Sequence, residues 1–123
     1  MKRKQALAEL IAKVEAGELI PDNLIVSSEV SAMIDLAVNV SDLHGDVWAD
    51  LCAAYDGSLD AAKALHEAVL CADDPQYGYL VGPMYARIVH PSCGTVCDAQ
   101  SNNPARAWLL AILRALHSME PDA

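Results

Sequence analysis

"YGYLVGPMYARIVHPSCGTVCDAQSNNPARAWLLAILRAL", residues 77 to 116, contains the change of hydrophobic period on which the fold turns. Three short runs rich in Tyr, Val, Ile and Thr come first, at 77–81, 85–90 and 94–100. Gly82-Pro83 and Pro91-Ser92-Cys93 separate them. Short β-prone runs divided by turn residues predict an antiparallel three-stranded meander. Alternation places Tyr77, Tyr79 and Val81 on one face and Gly78 and Leu80 on the other. In the second strand Tyr85, Arg87 and Val89 alternate against Ala86, Ile88 and His90. The period then lengthens. Asn103 fits an N-cap, and Pro104 fits the first helical position, where its missing N–H costs nothing. Trp108, Leu109, Ile112, Leu113 and Leu116 form a wide apolar face, and Arg114 and His117 sit at the end that favours cations. A helix this apolar needs a broad surface to cover, and the meander before it is the natural partner.

Upstream the pattern is helical. Leu7, Leu10, Ile11 and Val14 make one stripe in 4–17, with Gly17 as the left-handed stop. A turn at 18–23 leads to a second helix in 27–39, with Ser28 as its candidate N-cap. Residues 45–55 read either as a helical piece or as a strand near Val47 followed by a loop. An extra strand near 24–26 or 47 is a further option. Asp56-Gly57 turns the chain into a helix capped by Ser58, with Leu59, Ala62, Leu65 and Val69 on one face, and Pro75 excludes its continuation. Four helices with a small antiparallel sheet give an α+β, sandwich-like architecture. A length of 123 residues suits a single domain over 1–123. Residues 1–4 are expected to be a flexible basic start and 119–123 a loose end.

Charge restricts the partners. The formal net charge is −9, and three of the eight cations, Lys2, Arg3 and Lys4, stand at the start. The remaining chain sets five cations against seventeen acids. Such a body is repelled by a phosphate backbone, so nucleic acid is not an expected partner. No run approaches the roughly 18 apolar residues of a membrane span, and the start lacks the unbroken apolar core of an export signal. An intracellular setting is expected, with Cys52, Cys71, Cys93 and Cys97 as reduced thiols.

Motifs that carry chemistry are sparse. "VNVSDLHGDV" at 38–47 resembles the first metal loop of a calcineurin-like metallophosphoesterase. A two-metal site needs His and carboxylate ligands from several loops, and no second such loop follows. Asp42, His44 and Asp46 therefore stand as candidates for a single weak metal site, against a polar turn with Gly45 at its tip. Cys93 and Cys97 in "CGTVC" have a knuckle-like spacing and, with Cys71 and His90, could complete a four-ligand set. The competing reading is small apolar residues at a strand turn. No nucleophile elbow, P-loop or dinucleotide fingerprint occurs, so no catalytic residue and no cofactor is nominated. Arg106, opening the last helix, is expected to face solvent.

"GSLDAAKALHEAVL", a strand-rich insert, and then "NNPARAWLLAILRAL" together resemble the phage ABA sandwich domain family, small proteins of phages and prophages. "LAELIAKVEAG" is similar to the opening helix of many members. The resemblance covers about the first 17 residues and 55–118. It departs where members read Pro-Gly-Trp, since this chain has "CADDPQYGYLV". It implies helices packed on a small antiparallel sheet, a phage or prophage origin and a host-cytoplasm setting, and it implies no activity. The expected role is therefore a non-enzymatic accessory protein acting through a protein partner or self-association. The alternatives are an inhibitor that masks a host defence protein with its acidic surface, and a small metal-dependent hydrolase using Asp42, His44 and Asp46.

Overall fold

A computed structural model describes residues 3–16, 47–71 and 75–119. Among them stand four helices, α1 (Arg3–Ala16), α2 (Val47–Tyr55), α3 (Leu59–Val69) and α4 (Pro104–Met119), and three strands, β1 (Gly78–Val81), β2 (Tyr85–His90) and β3 (Gly94–Gln100). The strands form one antiparallel sheet in the order β1-β2-β3, so the fold is α+β with a small meander packed by helices. Helix α1 opens at Arg3, inside the stretch expected to be flexible, and Met119 closes α4. Residues 47–55 resolve as helix, with Leu51, Cys52, Ala54 and Tyr55 buried. The helix expected in 27–39, the stop at Gly17 and the strand option at 24–26 lie outside the described residues.

Two local devices hold the helical part in place. Between α2 and α3, Ser58 N–H donates to Ala53 O (2.9 Å) and Gly57 N–H to Ala54 O (3.0 Å), with Gly57 at φ 114°. This is a Schellman stop, whose left-handed position favours glycine. Ser58 then caps α3 by accepting from Ala61 N–H (3.1 Å). Asn103 caps α4, its Oδ1 accepting from Ala105 N–H (2.9 Å) and Arg106 N–H (3.3 Å). The two caps touch. A Cβ built on Gly57 would lie 2.6 Å from Asn103 Nδ2.

The register of the sheet sorts its faces. Tyr79 opposes Ile88, Val81 opposes Ala86, and these in turn oppose Cys97 and Ala99. That face carries the buried Ala86, Ile88 and Ala99 and packs on α4. The opposite face presents Leu80, Arg87 and Asp98 in one row and Tyr85 with Gln100 in the next. The β2–β3 hairpin closes with Cys93 N–H donating to His90 O (3.2 Å), and Gly94 follows at φ 78°, a left-handed backbone that glycine adopts without steric cost. Further along, Ile88 opposes Cys97 but Val89 opposes Thr95, so Val96 is bulged.

Helix α4 is more than a lid. Ten of its sixteen residues are buried, Leu110 and Ala111 as well as the anticipated Trp108, Leu109, Ile112 and Leu113. It packs on β2 and β3, on α1, and on the α2–α3 pair. A helix apolar around most of its circumference must be enclosed on several sides. Fully burying each of its large aliphatic side chains contributes roughly 1.5–3 kcal/mol. Arg114 ties the layers at the rim, donating to Asp98 O (2.9 Å) and pairing with Glu15 of α1.

Candidate functional site

The loop carrying Asp42, His44 and Asp46 lies outside the described residues. The second candidate set, Cys71, His90, Cys93 and Cys97, is described. Cys71 Sγ donates to Tyr77 O (3.3 Å). Cys93 is exposed at the hairpin turn. Cys97 Sγ donates to Ser118 Oγ (4.0 Å), and burial pushes its thiol up, towards the neutral form. His90 Nδ1 accepts from Ser92 N–H (3.1 Å), and its ring stands 4.8 Å from that of Tyr77. Among the described residues no three or more His, Cys, Asp or Glu side chains converge in a metal-binding group.

Among the described residues the interior holds one buried polar side chain, which the pattern did not single out. His66 is 1% exposed, on a stripe with Ala61, Ala62 and Leu65, whereas Leu59 is 45% exposed and leaves the face expected of it. A face built on 61, 62, 65 and 66 is one residue round from a face built on 59, 62, 65 and 69, and eleven residues of helix do not separate the two. Trp108 Nε1–H donates to His66 Nδ1 (3.4 Å), and His66 Nε2 faces Tyr77 O (3.2 Å). An indole N–H only donates and a carbonyl only accepts, so the pair of contacts selects the neutral Nε2–H tautomer. Burial lowers the imidazole pKa, against smaller opposing effects of the Tyr77 carbonyl and Glu67. Tyr79 covers the pair, its ring centroid 5.0 Å from His66 and 4.3 Å from Trp108. With its donors and acceptors matched and His66 and Trp108 buried, this cluster is a structural joint between α3, β1 and α4.

The arginines differ in how they are used. Arg106 does not face solvent. Its Nε–H donates to Tyr55 O (3.0 Å), and its guanidinium carbon stands 4.1 Å from the centre of the Tyr55 ring. That stacking binds the start of α4 to the end of α2. Arg114 is taken by Glu15 and the Asp98 carbonyl. Arg87 is different: its Nε is buried without a hydrogen-bond partner, and no described residue pairs with its guanidinium. A buried donor left unmatched costs on the order of 1–3 kcal/mol.

Arg87 lies in a surface depression of about 540 Å³ lined with Tyr85, Asp98, Gln100 and Arg114. Two adjacent β2 residues of one face, Tyr85 and Arg87, meet two of β3, Gln100 and Asp98. A second depression, about 600 Å³ and mostly apolar, shares Tyr85 and Gln100 and extends to Pro83 and Met84. Tyr85 is the wall between them. Its ring rests on Gly82, where a Cβ would come within 2.5 Å of Tyr85 Cε1, so glycine makes room for the ring. Around this groove Leu80 is 51%, Met84 61% and Tyr85 38% exposed. Sequence reading named the strands that build the groove but not the groove, because it depends on which β3 residue lies beside which β2 residue.

The chain matches no family model, no curated protein and no solved structure in the comparisons made.

Proposed function

We propose that this is a binding module, a small phage or prophage accessory protein that works through protein contacts made by the β1–β2 hairpin. One observation carries the reading. Leu80, Met84 and Tyr85 are three of the six large apolar side chains exposed among the described residues, and they stand within six residues of one hairpin. Clustered exposed apolar residues beside polar ones are a usual feature of interaction surfaces. Tyr85 is held against Gly82, which makes it a preordered anchor of the kind that dominates interfaces. The phage origin and the host-cytoplasm setting are supported by the resemblance carried by residues 55–118. No helix among the described residues is long and apolar enough to cross a membrane.

The test compares the parent protein with a Leu80→Ser, Met84→Ser double variant as bait in extract of the host cell, alongside sedimentation of each. Both replaced side chains are outside the core, so thermal unfolding should be unchanged. A partner, or a second copy of the chain, held by the parent and lost by the variant is the expected result. Equal capture and equal sedimentation would remove the hairpin from the interface.

A further inference from the structure

We propose that the groove walled by Tyr85 recognises a carboxylate carried next to a large apolar side chain, as on a peptide ending in or containing an acidic residue. This rests on the binding-module reading and supplies the chemistry of its ligand. Arg87 is the anchor. Of the three arginines in β2 and α4, Arg106 is committed to Tyr55 and Arg114 to Glu15 and Asp98 O, while no described residue pairs with Arg87. Asp98 lies directly across from it in the register, yet the two form no ion pair. A planar guanidinium with free donors matches a carboxylate through two parallel hydrogen bonds. Gln100 and the Tyr85 hydroxyl supply further donors around the same depression. On the other side of Tyr85 the surface is apolar, through Pro83 and Met84. An occupant that satisfies both compartments has an anion and an apolar group a few bonds apart.

Charge selects the kind of anion. The groove has one uncommitted cation, with the Asp98 carboxylate beside it and a chain of formal charge −9 behind it. Repulsion from those acids grows with ligand charge, so a monoanionic carboxylate is favoured over a phosphate dianion. The same balance argues against a polyanion.

The test uses the ¹⁵N-labelled full chain titrated with N-acetyl-L-leucine, with N-acetyl-L-leucinamide, which keeps the side chain and lacks the charge, and with inorganic phosphate. N-acetyl-L-leucine is expected to shift the amides of Met84, Arg87, Asp98 and Gln100. The amide analogue should bind roughly tenfold more weakly, the difference made by one charge-assisted hydrogen-bonded pair. Arg87→Gln should erase that difference, and Arg87→Lys should restore part of it. Met84→Ser should weaken both leucine ligands and leave their ratio in place. Equal binding of the two leucine ligands, tighter binding of phosphate, shifts confined to other surfaces, or no shifts would each overturn the assignment. If the leucine ligands fail while the Leu80→Ser, Met84→Ser protein still loses its partner, the carboxylate assignment falls and the binding module stands. If that variant also keeps its partner, both fall.

Discussion

The imidazole of His66 has a neighbour at each nitrogen, an indole donor at one and a carbonyl acceptor at the other. Adding a proton places an N–H against the Trp108 N–H and a positive charge in an apolar interior. The folded state therefore holds this base below its ordinary value of 6.5, chiefly through burial. For a base with a lowered folded pKa, the unfolded chain takes up the proton first. The contribution to stability is complete above about pH 6.5 and falls as the pH drops through 6.5 towards the folded value. Urea midpoints measured from pH 8 to pH 5 should decline along that limb. His66→Phe should flatten the decline between pH 7 and pH 5.5. It should also lower the pH 8 stability by about 1–3 kcal/mol, since Trp108 N–H and Tyr77 O lose their partner. An unchanged slope in His66→Phe would assign the acid limb to other groups. A lone histidine inside a helical run carries no sign of this in sequence; only the neighbour 42 residues away gives it meaning.

At the scale of elements, the punctuation was legible and the facing was less so. Ser58, Asn103 and Pro104 stand where their local chemistry requires, and the strand limits follow Gly82-Pro83 and Pro91-Ser92-Cys93 closely. Caps and turns are decided by a few adjacent residues, so the sequence shows them directly. Facing depends on what packs above. That is why Leu59 points out, Arg106 turns in to Tyr55, and residues 47–55 become helix although strand was an open reading. The contact between the two helix boundaries gives an element-scale prediction. Gly57→Ala should destabilise by ~1–2 kcal/mol for the left-handed backbone alone, plus the displacement of the Asn103 side chain. Asn103→Ala should cost about 1 kcal/mol through the lost cap. The double variant should lose less than the sum, because the side chain obstructing the new methyl is gone. Strict additivity in denaturant unfolding would show that the two boundaries are independent.

At the scale of the molecule, among the described elements the sheet and the helices meet to any large extent only through α4. Ile112 is fully buried in the middle of it. Ile112→Ala should cost about 2–5 kcal/mol. The loss should appear as one transition, with far-UV circular dichroism and tryptophan fluorescence coincident, because no described layer keeps its core once α4 leaves. Two separated transitions would mean that the meander or the α2–α3 pair holds together alone. The α+β class and the meander were readable from period and composition. The groove was not, since placing Arg87 beside Asp98 and Tyr85 beside Gln100 requires the cross-strand register, and the bulge at Val96 shifts that register partway along the hairpin.

The enclosed helix comes last among the described elements, and synthesis runs in chain order. A ribosome that has delivered residues 1 to 103 has released the surfaces of α1, α2, α3 and the meander that α4 is to occupy, and none of α4 itself. At about 5–20 residues per second, those apolar faces wait seconds before their common filler arrives. Nascent chains of this protein should therefore engage holding chaperones until the segment from Asn103 has emerged, and acquire protease resistance abruptly once it has.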